Sequence, residues 1–93
     1  VIESFACKRT ALVFLGECPR GFATDIAVVA RRKLRMLDAA KRLEDLRIPP
    51  SNRLEALKGD RRGQHSVRIN DRWRLCFVWQ DGGAWDVEIV DYH

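Results

Sequence analysis

Cysteine, histidine and long apolar runs are scarce in this 93-residue chain. Its three cysteines, Cys7, Cys18 and Cys76, are odd in number and stand at no metal-ligand interval, so they read as reduced thiols rather than a disulfide framework. The two histidines, His65 and His93, pair with no cysteine at a zinc-site spacing, and neither metal nor cofactor is expected. No apolar stretch approaches the ~20 residues that a bilayer-spanning helix needs. The opening VIESFACKRT lacks the apolar core of a secretory signal, which sets a cytoplasmic expectation. Val1 stands where an initiating Met would, implying a non-standard or processed start. Gly59 and Gly63 belong to a turn between strands, not to a strand-to-helix junction, so a P-loop or dinucleotide fingerprint is excluded. No serine, histidine and aspartate spacing suggests a hydrolase triad.

What is present fits one domain over residues 1–93, near the small end of what folds unaided. A hydrophobic fraction of 46% is that of a globular chain and excludes disorder. The net charge of +4 permits an anionic partner, and its distribution is more informative. Arg53–Arg74 carries seven basic residues against Glu55, Asp60 and Asp71, whereas Leu75–His93 carries four acids and no Lys or Arg. A basic hairpin beside an acidic strand sets phosphate-binding groups next to carboxylates; a solvated face of mixed sign is the alternative.

Val1–Cys7, with Val1, Ile2 and Phe5, reads as a first strand, and Lys8–Leu15 as a short helix with Leu12 and Leu15 inward. From Asp25 to Leu46, Ile26, Val29, Ala30, Leu34, Leu37, Ala40 and Leu43 recur at helical steps, with Thr24 or Asp25 as cap and a break expected near Ala39–Lys41. Arg31, Arg32, Lys33 and Arg35 fall on its outward face, and Pro49-Pro50 ends it. LEAL (54–57), HSVRI (65–69) and Arg72–Gln80 read as strands, with Trp73, Leu75, Phe77 and Trp79 on one face of the last. Asp81-Gly82-Gly83 closes a hairpin, and Trp85, Val87 and Ile89 supply the inner face of the final strand. The order predicts an α+β domain: an antiparallel sheet with two or three helices on one face, leaving Arg72 and Arg74 on the other.

The chain finishes on EIVDYH, which delivers an acid, a phenol and an imidazole to the end of a strand. Metal-free RNA cleavage needs a base for the 2′-OH proton, an acid for the departing 5′ oxygen, and cations for charge growing on phosphorus. His93 and Tyr92 offer the first two, and Arg72, Arg74, Arg61 and Lys58 the third, arginine because its fork matches two phosphate oxygens. Each also has a plainer reading: His93 as a solvated end, Tyr92 as edge packing, His65 as a cross-strand surface residue, and the tryptophans as core.

The run LEALKGDRRGQHSVRINDRWRLCFVW, followed by WDVEIVDYH, resembles the HigB-type toxins of the RelE/ParE superfamily over the whole chain. The resemblance implies a RelE-like twisted antiparallel sheet and the toxin of a bacterial type II toxin–antitoxin pair. Such toxins are ribosome-dependent mRNA endonucleases that cut the A-site codon with the 2′-OH as nucleophile and without a metal. The partners implied are the ribosome, its mRNA and a helix-turn-helix, HigA-like antitoxin, through which alone operator DNA is reached. By position, Asp91, Tyr92 and His93 match the family's terminal catalytic triplet, and Lys58 and Arg74 match residues that hold the scissile phosphate; Arg61 and Arg62 are further contacts. At Glu55 some HigB toxins carry a histidine, so altered pH dependence or weaker cutting is implied. Two other readings stay open: a ParE-like gyrase inhibitor of the same fold, and an RNA- or ribosome-binding module without chemistry.

Overall fold

The computed structural model describes residues 1–91, so expectations for Tyr92 and His93 lie outside the described residues. Helix α1 (Lys8–Phe14) and helix α2 (Thr24–Ala39) form one layer. Strands β1 (Glu55–Ala56), β2 (His65–Arg68), β3 (Trp73–Gln80) and β4 (Gly83–Asp91) form the other, an antiparallel sheet in the order β1-β2-β3-β4. Short 3-10 turns at Leu43–Arg47, Pro50–Asn52 and Gly59–Arg61 connect them.

Apolar periodicity accounts for most of this arrangement. Ala27, Ala30, Leu34 and Leu37 recur at steps of three and four along α2 and are buried, the last three in one core with Val67, Leu75, Phe77, Val87 and Ile89 of the sheet. Fully burying a Leu or Phe side chain contributes about 1.5–3 kcal/mol, so this interface is what holds the layers together. The break falls at Ala40, as expected, where the backbone becomes extended before the Leu43–Arg47 turn. Neither Thr24 nor Asp25 caps the start: Ala23 occupies that position and no side chain completes it.

Three expectations are corrected. In α1, Thr10 and Val13 are buried while Leu15 is 68% exposed. At 3.6 residues per turn, two residues beyond Val13 lies on nearly the opposite side of the helix, and α1 has already ended at Phe14. In β4, Trp85 is 39% exposed rather than core. Between the pairs Cys76–Glu88 and Val78–Trp85, three steps on β4 answer two on β3, and Asp86 takes the left-handed conformation with φ 53°. This bulge reverses the alternation, so Ala84 and Val87 both face the helices and Trp85 faces away. The first segment makes only two isolated parallel bridges to β4, Ile2 with Ala84 and Phe5 with Val87, because Asp86 interrupts the pairing. There the Asp86 N–H donates to Ser4 Oγ at 2.8 Å.

The consequence for β4 concerns its outer edge. The Glu3 and Ala6 N–H groups donate to the Ala84 and Val87 carbonyls, the Ala84 and Val87 N–H groups donate back to the Val1 and Ser4 carbonyls, and the buried Ile89 N–H donates to Thr10 Oγ1 at 3.0 Å. Although β4 is the last strand of the ladder, its edge is therefore covered as far as Ile89. Its last described residue, Asp91, stands opposite Trp73.

Candidate nucleic-acid interface

Strand register decides which side chains share the face that the helices leave open. Glu55 pairs with Ser66, Ser66 with Cys76, Cys76 with Glu88, Arg68 with Arg74, and Arg74 with Val90. Directly opposed residues project to the same side, so Glu55, Ser66, Arg74, Cys76 and Glu88 belong to one surface. Leu75, Phe77 and Val67 alternate onto the other and form the core.

Arg74 is the centre of that surface. Its side chain is only 12% exposed, and its Nε donates to Ser66 Oγ at 2.8 Å. Nη2 donates to the Arg53 carbonyl at 2.7 Å and stands 3.3 Å from a Glu55 carboxylate oxygen. Glu55 itself is 59% exposed, so screening leaves little stabilisation in this pair, about 0–1 kcal/mol. Across the same face, Arg61 Nη1 lies 3.5 Å from Glu88 and donates to Gln64 Oε1 at 3.0 Å. The link holds the Lys58–Gln64 turn over the sheet, and the Leu57 N–H closes that turn on the Gln64 carbonyl at 2.9 Å. Lys58 and Arg62 project from it into solvent.

Asp91 and Arg72 form a separate pair at the end of the hairpin. Both Nε (3.0 Å) and Nη2 (2.8 Å) of Arg72 donate to one Asp91 oxygen, and this bonding raises the Arg72 pKa above its ordinary value. The guanidinium also lies over the Trp73 ring, 5.3 Å from its centre. Since Asp91 faces Trp73 while Arg74 faces Val90, the two side chains project to opposite sides of the strand ends. The expected common face for Arg72 and Arg74 is thus corrected: Arg72 precedes β3, outside its alternation, and turns to Asp91.

Of the residues singled out from sequence, Glu55 and Arg74 touch, Arg61 reaches the same face by pairing with Glu88, and Lys58 and Arg62 are exposed on the turn that carries Arg61. Ser66, Glu88 and the Arg53 carbonyl were missed. The face of Ser66 was findable from the alternation in HSVRI, though its meeting with Arg74 depends on register; the left-handed Arg53 left no sequence signal. On α2, burial, then Arg32, then Arg68 lower the pKa of Lys33 below its ordinary value. An open groove of about 380 Å³, lined by Cys18, Val28, Arg31 and Arg35 among others, belongs to the helical layer and not to this face.

Comparison with known proteins gives a concordant result. The HigB-like toxin family, described as the RelE-like toxin of type II toxin-antitoxin system HigB, matches residues 10–93. Toxin HigB-1 of Vibrio cholerae is 55% identical over 53 residues, 57% of this chain and 56% of that protein, so the match spans about half of that relative. Endoribonuclease HigB of Proteus vulgaris is 29% identical over 93 residues, the whole of both chains. A solved YoeB-YefM complex from Staphylococcus aureus superposes with a TM-score of 0.62 at 16% identity, covering 100% of this chain and 98% of that one, and so shares the fold. No helix of the structure, among the described residues, is long and apolar enough to cross a membrane.

Proposed function

The chain belongs to the HigB-like toxins, RelE-like toxins of type II toxin–antitoxin systems, and on that premise we propose that it is a ribosome-dependent endoribonuclease of the cytoplasm. It cuts mRNA in the ribosomal A site. The observation that carries the reading is the Arg74 guanidinium, fixed on the face the helices leave open and flanked by the Lys58–Arg62 turn.

The chemistry follows from what RNA offers. The 2′ oxygen attacks the adjacent phosphorus while a base removes its proton. The P–O5′ bond breaks, and an acid protonates the leaving oxygen. The products are a 2′,3′-cyclic phosphate and a 5′-OH. Imidazole is the side-chain type suited to proton transfer near neutral pH, so His93 exchanges these protons, with Tyr92 as the second donor. Both follow directly on Asp91, which is tied to Arg72. Arg74 and Lys58 neutralise charge on the non-bridging oxygens, and Arg61 and Arg62 hold the flanking backbone.

The family resemblance implies an imidazole at the position of Glu55 in some members. The Glu55 carboxylate lies 3.3 Å from Arg74 Nη2, so a phosphate bound by Arg74 exchanges with it. The partner that restrains the activity is a helix-turn-helix, HigA-like antitoxin.

Brief induction in bacteria, with and without a cognate antitoxin, tests the assignment. Growth arrest with new mRNA 5′ ends in phase with codons supports it. Arrest with DNA breaks and intact message, the outcome for a gyrase inhibitor, rejects it.

A further inference from the structure

Arg74 is held on two sides by groups with no place in the chemistry. Ser66 is fully buried, and its hydroxyl accepts the Nε–H at 2.8 Å. The Arg53 carbonyl accepts from Nη2 at 2.7 Å. That carbonyl is itself fixed: Arg53 is left-handed, with φ 46° and ψ 57°, at the end of the Pro50–Asn52 turn. Asn52, also fully buried, anchors the turn by donating to the Leu46 and Ile48 carbonyls and accepting from Lys33. A guanidinium is planar, so acceptors at Nε and Nη2 set both its position and its plane. The third partner, Glu55, is anionic, mostly exposed and 3.3 Å away.

We propose that Ser66 is a positioning residue: together with the Arg53 carbonyl it locks the Arg74 fork in the plane in which a scissile phosphate oxygen replaces the Glu55 carboxylate. The inference rests on the assignment of Arg74 to phosphate binding. A neutral hydroxyl suits this role because it directs the fork without competing with phosphate for charge, whereas a carboxylate at residue 66 would hold the cation back. Preorganisation matters because displacement of a catalytic contact by about 1 Å can cost on the order of 10²-fold in rate.

A coupling experiment tests this on the full chain, using ribosomes programmed with a defined message. Single-turnover cleavage, ribosome affinity and melting temperature are measured for Ser66→Ala, Ser66→Thr, Arg74→Ala and the Ser66→Ala/Arg74→Ala pair. The expected result for Ser66→Ala is a rate loss on the order of tenfold to a hundredfold with ribosome affinity retained. Ser66→Thr, which keeps the hydroxyl, recovers most of the rate. In the Arg74→Ala background, Ser66→Ala causes no further loss, because its effect passes through the missing guanidinium. Equal loss in both backgrounds, or wild-type cutting by Ser66→Ala, overturns the proposal. Should alanine lower the melting temperature, Ser66→Cys fills the same space with a weaker acceptor and gives the same comparison. Wild-type cutting by Arg74→Ala would instead reject the phosphate-binding assignment, and with it the basis for Ser66.

Discussion

Replacing Thr10 by valine removes one hydroxyl from the junction of α1 with the last strand and changes little else. Thr10 is fully buried, its Oγ1 accepts the Ile89 N–H at 3.0 Å, and the Cys7 sulfur lies 3.0 Å from the same oxygen. Valine has nearly the same volume, so no cavity opens; what remains is a buried N–H without an acceptor. Leaving such a donor unsatisfied costs about 1–3 kcal/mol. For a domain of this size each kcal/mol moves Tm by about 4–8 °C, so a fall of several degrees or more is expected. Calorimetry measures that fall, and amide exchange locates it: the Ile89 amide should lose protection while Leu75, on the neighbouring strand, keeps its own relative to the new global stability. Because Asp91 lies two residues beyond Ile89, cleavage should weaken as well. A variant that melts with the wild type and keeps Ile89 protected would refute the idea that Thr10 secures the end of this strand.

Glu55→His should raise the single-turnover cleavage rate by removing the carboxylate from Arg74 and adding an imidazole, while Tm changes little; a slower enzyme contradicts this. Arg61→Ala should lower the slope of log affinity for ribosome-bound message against log salt by about 0.7 if Arg61 neutralises one phosphate, and an unchanged slope removes it from the interface. Backbone N–H groups of Arg42 and then Lys41 hold the Asp45 carboxyl below the usual carboxylate range. Its contribution to stability is therefore present above the unfolded value near pH ~4 and is lost as pH falls through the lower folded value. Tm of Asp45→Asn should lie below that of the wild type at neutral pH and converge with it in strong acid; a constant gap would show that the backbone bonds do not depend on the charge.

Legibility of the fold followed the strength of the periodic signals. The stripe of α2, the Asp81-Gly82 hairpin and β3 were readable because each repeats a pattern or uses a turn that only a few residues support. Trp85 was misplaced because the bulge at Asp86 is a backbone event: WDVEI alternates perfectly on paper, and nothing in it marks the extra residue. Leu15 failed for the complementary reason, since about two turns of helix offer too few positions to fix a phase. At the site, residue identities were legible and partnerships were not. Arg74 and Glu55 could be named from their motif, yet their contact depends on the register of β1, β2 and β3 together. Arg72 and Asp91 are nineteen positions apart and meet only because the hairpin closes where it does.

The central proposal is that His93 and Tyr92, which follow β4 in the sequence, cut RNA at a phosphate held by Arg74. Purified wild-type chain and His93→Ala, each added to ribosomes stalled with a known codon in the A site, measure this directly through the termini produced. The account predicts a cyclic-phosphate cut within that codon for the wild type and a rate lower by about 10²–10⁴-fold for His93→Ala. Intact message with the wild type, or equal cutting by both proteins, contradicts it.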